Sequence, residues 1–455
     1  MSQSGGPRGL LARRSALRGI MALGAASAMA LTACAPGSGS QAAAGPAAVS
    51  TTIDKPVALT FYDGAGLKDF DEALIAAFEK KNPNITITLR SDPDAVTNTN
   101  MPRVISSNDA PDLVRYPGGA IAGYVRDGVL TNLDAYAKAY GWDTLPAAQL
   151  SQYQVDNGVL GSGSLYAFGA PAGPMTGVFY NRDLAAKIGM DKAPQTLAEF
   201  DDALKKAKNA GITPIISANK TGLTGHVWNL LLGDYMGAEK LNDFRFLKPG
   251  STLDTPEALA ATTKLQSWMA AGYFNSDQNA LEQDPSYGRF MNGDALFTVQ
   301  GSWILGPLKK MVDEGNLGFF PLPGTDASHP ATAMSSTSLS FVIPAKSKNH
   351  DAAAAFLDWV QSPEAAAAAY ENGFSAKAPD AATTFSMGDS VQKQLSNSYA
   401  KAVADNSLTG WVADVSQGMA TSALNPGLQQ LAANQVTPQQ FLATVQKTYE
   451  DQTKK

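Results

Sequence analysis

The sequence predicts an α/β protein made of tandem α/β units, each with its own sheet. Three observations lead there. About 400 residues follow a basic leader and an uncharged tether, more than one hydrophobic core organises, so two domains are expected. A strand–helix–strand rhythm starts at Val57 and a second starts near Val178. Capping residues, Pro and Gly punctuate both stretches at helix spacing.

Val57–Tyr62, "VALTFY", alternates and is rich in β-formers, so it reads as a strand. Over Asp69–Lys81, Phe70, Leu74 and Phe78 fall on one helical face, and Pro83 ends the helix. Ile85–Leu89, "ITITL", is the next strand and "APDLVRY" (Ala110–Tyr116) holds a third. Helical crossovers between them imply a mostly parallel sheet. In the second unit Val178–Tyr180 is a strand end, and Thr196 and Glu199 form a capping box for a helix burying Leu197, Phe200 and Leu204. Thr213–Ser217 is a strand, and Thr255-Pro256 opens a helix running to Ala271 and closed by Gly272. Asn349–Val360 and Ser362–Tyr370 are two further helices, and Leu431 and Phe441 lie in helix-like surroundings. Open α/β sheets hold ligands outside the carboxyl ends of their strands. The loops after "LTFY", "DLVRY", "GVFY" and "LFTVQ" are therefore the places to look for a site.

The first 18 residues carry Arg8, Arg13, Arg14 and Arg18 and no acid, and Gly19–Ala33 is uncharged. That is the pattern of an export signal. The run falls short of the roughly 20 apolar residues a membrane span needs. Cys34 is the only cysteine, so an internal disulfide is excluded. Residues 35–50 have no charge or aromatic and read as a flexible tether. Without the leader's four arginines, 31 basic residues face 41 acidic ones, a net charge of −10. An acidic chain with no basic block argues against nucleic acid as a partner.

Catalytic motifs are missing from the sequence. His226, His329 and His350 are scattered without metal-ligand spacing, and there is no HExxH, Walker A loop or nucleophile elbow. A secreted glycoside hydrolase would need two carboxyl groups at a fixed separation. Among 41 acidic residues some such pair is inevitable, but no local motif supports it. The expectation is a non-enzyme with no metal and no cofactor.

Four stretches, in order, give the chain a resemblance. They are "APDLVRYPGGAIAGYVRDGVLTNLD" (110–134), "GSLYAFGAPAGPMTGVFYNRDLAAKIGMDKAPQTLAEF" (163–200), "FMNGDALFTVQGSWI" (290–304) and "VIPAKSKNHDAAAAFLDWVQSPEAAAAAYENG" (342–373). Together they resemble the extracellular solute-binding proteins of carbohydrate ABC transporters. Leu31-Thr32-Ala33-Cys34 likewise resembles the lipobox of bacterial lipoproteins, in which the cysteine is diacylated and becomes the first mature residue. "RRSALR" is a partial match to a twin-arginine signal, with Ala12 and Ala16 departing from it, so secretory export stays open.

The resemblance implies two α/β lobes joined by a hinge around a central ligand cleft. Projected onto the chain, residues 1–33 are a lipoprotein signal peptide and 34–52 a tether. One lobe takes 53–172 and 326–362, the other 174–322 and 365–455, with crossings near Gly173, Pro323 and Ser362. It also implies a lipid-anchored monomer on the outer membrane face, delivering a sugar to permease subunits with a cytoplasmic ATPase.

A sugar wants flat aromatics for its C–H faces and polar groups for its hydroxyls. The resemblance places Trp303, Trp228 and Trp411 at the cleft, with Tyr62 and Asp63 after the first strand and Tyr116 after the third. Met175 and Thr176 at the first crossing, and Ser335 and Ser336 beside Thr337, complete the set. Trp268 and Trp359 read as core, Trp142 is unassigned, and Asn181 is structural. Another small solute is the alternative: an amino acid would require a clamp such as Arg115 with Asp63. No Tyr-Tyr pair exists to suit iron.

Overall fold

The computed structural model describes residues 48–64, 67–115, 121–145, 150–170, 173–326, 331–335, 340–375, 390–416 and 418–453. All belong to one compact unit, Ser40–Lys455. The strands are β1 (Val57–Gly64), β2 (Ile85–Asp92), β3 (Leu113–Arg115), β4 (Gln154–Asp156), β5 (Val159–Leu160), β6 (Ser164–Leu165), β7 (Phe168–Gly169), β8 (Met175–Asn181), β9 (Thr213–Ile216), β10 (Ala295–Gly301), β11 (Leu317–Phe320), β12 (Ala333–Ser335), β13 (Ser340–Val342) and β14 (Leu408–Thr409). They form two main sheets and one small one, which is a two-lobed α/β fold.

The first sheet runs β2-β1-β3-β13-β7. β1 is parallel to β2 and β3, whereas β13 is antiparallel to β3 and β7. Helix Lys68–Lys81 covers it with Phe70, Leu74 and Phe78, all buried. Phe61, Phe78, Phe341, Phe356 and Trp359 meet edge-on or tilted at 5.1–6.3 Å. Each such fully buried ring stabilises the fold by about 1.5–3 kcal/mol. Trp142 lies between Tyr140 and Phe168, and its indole N–H donates to Asp358 at 2.9 Å. β4, β5 and β6 make a separate three-stranded sheet, with β4 in the middle.

The second sheet runs β14-β12-β8-β10-β9, with β11 also on β8. β8 is antiparallel to β10, β11 and β12, so this sheet is mixed where the rhythm predicted mostly parallel strands. The cause is topological. β8 follows directly from β7 of the other sheet, without a crossover helix to fix its direction. Helix Leu197–Asn209 starts at Thr196, whose hydroxyl accepts from Glu199 N–H, and Glu199 reaches back to Gln195 N–H. Thr255 and Ser362 cap their helices in the same way, and Asn181 caps Arg182–Lys187.

Two lobe assignments read from the sequence are corrected. Residues 331–335, placed with the first lobe, carry β12, which pairs with β8 and β14 in the second sheet. Helix Pro363–Glu371, placed mostly with the second lobe, packs into the first core through Ala365 and Ala369. Lys81 pairs with Glu364 at its start, and Phe374 beyond its end stacks on Phe70 at 4.3 Å. The Ser-Pro signal is a helix start rather than a change of lobe. The lobes touch where Leu160 N–H donates to Phe246 C=O at 3.1 Å, and where the Ser302 hydroxyl donates to Gly373 C=O. Gly373 has φ +75°, and a Cβ there would lie 2.1 Å from Ser302 O.

Candidate functional site

Antiparallel pairing of β8 with β10 puts the start of one strand beside the end of the other. Thr176 therefore faces Gly301. Past Gly301 the chain tightens into the 3₁₀ turn Ser302–Leu305, and the Trp303 ring folds back over Gly301. A Cβ on Gly301 would sit 1.9 Å from Trp303 Cζ3. Trp411 uses the same device: it lies over Gly225 in the first turn of helix Thr224–Met236, where a Cβ would be 2.6 Å from its Cη2.

His226 sits between these tryptophans, edge-on to both, at 5.8 Å from Trp303 and 5.1 Å from Trp411. Burial pushes its imidazole down to about 4, against a hydrogen bond to the Val299 backbone that favours protonation. The ring is neutral at physiological pH, and its buried Nδ1 has no hydrogen-bond partner. Thr176 Oγ1 is buried without a partner too. Both tryptophans are half-buried, and Trp303 packs against the cores of both lobes.

Two asparagines fix the segment that carries Trp411. Asn229 donates to Gly410 C=O at 3.2 Å and accepts from Val412 N–H at 2.9 Å. Asn242 donates to Leu408 C=O at 2.8 Å and accepts from Gly410 N–H at 3.2 Å.

The structure thus brings Trp303, Trp411 and Thr176 to one edge of the second sheet, with half-buried Ser335 on β12 opposite Met175. Other residues expected at the cleft lie elsewhere. Trp228 is fully buried; its indole N–H donates to Thr262 at 2.9 Å and its ring meets Phe441 edge-on. Helix Thr224–Met236 is buried nearly all round, with only His226 and Tyr235 partly exposed. His226, two residues earlier, takes the place that the sequence suggested for Trp228. Met175 is fully buried in the core around Phe179.

Tyr62 and Asp63 are also buried, because β1 continues to Gly64, two residues beyond the strand expected. The Tyr62 hydroxyl donates to Asp92 at 2.8 Å. Asp63 pairs with Arg115 through one oxygen and accepts from Gly64 N–H with the other. Arg115 also reaches Asp71 at 2.6 Å and lies over the Phe341 and Phe374 rings. Burial pushes the Asp71 carboxyl well up, aided by Asp63 and opposed by Arg115. Burial works against the Arg115 charge, but the two carboxylates outweigh it and raise the guanidinium. Arg115 and Asp63 are committed to each other and do not form a clamp for an amino acid. Tyr116, Ser336, Thr337 and Cys34 lie outside the described residues.

Sequence reasoning missed His226. His226 had a signal in its neighbourhood, "GHVWN", two positions from a tryptophan. Among the described residues, no three His, Cys, Asp or Glu gather as metal ligands, and no helix is long and apolar enough to cross a membrane.

Residues 64–367 match the family described as bacterial extracellular solute-binding protein. A "Multiple sugar-binding protein" from Streptococcus mutans is 26% identical over 303 residues, covering 64% of this chain and 69% of the relative. A solved "Chitin oligosaccharide binding protein" aligns with TM-score 0.74 and 21% identity over 88% of this chain and all of its own. A solute-binding protein, RafE, in complex with raffinose aligns with TM-score 0.67 and 19% identity over 87% and 99% of the two chains.

Proposed function

Because the chain belongs to the bacterial extracellular solute-binding protein family, we propose that it captures a mono- or oligosaccharide between its lobes and delivers it to an ABC importer's permease. The observation that carries this is the pair of half-buried tryptophans flanking a neutral His226, beside Thr176. Flat rings take the C–H faces of a sugar, while Thr176 Oγ1 and His226 Nδ1 lack partners that sugar hydroxyls supply. Relatives named for sugar binding agree with it.

Trp303, Trp411, His226, Thr176 and Ser335 form the second lobe's share of the site. Tyr116 and Ser336 stay in it as the residues expected to approach from the segments flanking β3 and preceding β13. The lobes are residues 53–170, 340–375 and 173–335, 390–453, with crossings between β7 and β8, between β12 and β13, and after Phe374. Solute touching both lobes binds the closed arrangement better and raises its population. Residues 1–33 act as a signal peptide, and lipid on Cys34 holds the monomer at the outer membrane face by the tether 34–52. Loss of membrane partitioning in Cys34→Ala tests the anchor.

Calorimetry against a panel of neutral and acidic oligosaccharides, paired with small-angle scattering, tests the whole reading. Binding of at least one sugar with a smaller radius of gyration is expected. No binding across the panel, or binding without compaction, overturns capture between lobes. Steady release of shortened sugar would instead make the protein a hydrolase.

A further inference from the structure

Arg245 ends helix Ala238–Arg245 and is 6% exposed. Its Nε is buried without a hydrogen-bond partner, and it makes no ion pair among the described residues. The guanidinium lies over the Phe246 ring at 5.0 Å and rests on Gly410, where a Cβ would be 2.1 Å from Nε. Gly410 directly precedes Trp411, so the cation adjoins the aromatic platform. It also faces the other lobe. Phe246 C=O receives Leu160 N–H from β5, and Arg245's charge favours the phenolate of Tyr153 beside β4, a hydroxyl that burial pushes far up. Tyr399 from the second lobe approaches the same hydroxyl.

A buried cation normally has an anion against it. Here the helix C-terminus and the Phe246 face both favour positive charge, yet neither gives Nε an acceptor. The guanidinium lies one residue from the Phe246–Leu160 contact between the lobes, and the anion that suits its fork is a planar carboxylate. We propose that Arg245 reads a carboxylate on the bound sugar, so that the solute is an acidic oligosaccharide containing a uronate residue. The inference rests on the sugar-capture reading and names the substrate class of that site.

The test is calorimetry of the whole chain with tri-galacturonate and a glucuronate disaccharide, each against its methyl ester, which removes charge and little else. At least one acid is expected to bind about 100-fold tighter than its ester. Arg245→Met should remove that ratio while leaving ester affinity and the melting temperature close to wild type. Arg245→Lys, which keeps charge but loses the fork, should restore part of it. Equal affinity for acid and ester, or a ratio unchanged in Arg245→Met, overturns the proposal. So does binding confined to neutral sugars, and that result leaves sugar capture standing. Failure of every sugar, acidic and neutral, defeats sugar capture as well.

Discussion

The two lobes treat polar groups at their sheet edges in opposite ways. At the first sheet, Tyr62, Asp63, Asp71, Asp92 and Arg115 engage one another, and only Asp71 Oδ2 is left over. At the second, Thr176, His226 and Arg245 each keep a buried polar atom with no partner, next to two half-buried tryptophans. A buried polar atom without a partner costs free energy, roughly 1–3 kcal/mol. One orphan is an accident of packing; three around an aromatic platform are what the proposed site rests on. On the proposed reading the difference separates a structural edge from a binding edge, although both were expected to face the solute.

The sharpest way to break that comparison is Arg115→Met. It leaves the buried Asp63 carboxylate without its cation and removes a hydrogen-bond donor from Asp71, so a stability loss of about 3–5 kcal/mol is expected in urea unfolding. A loss under 1 kcal/mol would mean that the first edge is not held by this cluster.

At the second edge the same logic gives changes in affinity. Gly225→Ala and Gly301→Ala push Cβ into Trp411 and Trp303, and tilting either ring should weaken sugar binding by about tenfold, near 1.4 kcal/mol. Affinities equal to wild type in both variants would remove the rings from the site. Thr176→Val keeps the β-branched shape and deletes the orphan hydroxyl. Stability should hold within about 0.5 kcal/mol while affinity falls several-fold; a stability loss without an affinity change would make Thr176 structural.

The smallest effect concerns pH. Because Asp71's carboxyl is raised by burial, its protonated form suits the fold. The stability it contributes is present at acid pH and is lost as pH rises through the raised value. Asp71→Asn, a permanent mimic of the protonated state, should flatten that decline in urea unfolding between pH 5 and 8. A variant with the wild-type slope would place the titration elsewhere.

Much of the fold was legible because local signals and tertiary burial agreed. The Phe70, Leu74, Phe78 stripe and the caps at Thr196, Thr255 and Ser362 all appear where periodicity put them. The direction of β8 was not legible, since it depends on the strand before it in another sheet. Neither was the lobe of helix Pro363–Glu371, whose Ala-rich face suits either core. Among site residues, flat aromatics in a matching segment found Trp303 and Trp411. Trp228 misled because its helix buries every residue but His226 and Tyr235. Arg245, proposed to read a carboxylate, was invisible, because nothing local distinguishes a buried arginine from a surface one.

The central claim is that solute is held between the lobes against Trp303 and Trp411, and the double variant Trp303→Ala/Trp411→Ala meets it directly. Calorimetry with a sugar that the wild type binds should show affinity reduced by at least about 100-fold, with an unchanged circular dichroism spectrum. Retained affinity within threefold of wild type, in a folded double variant, would contradict it.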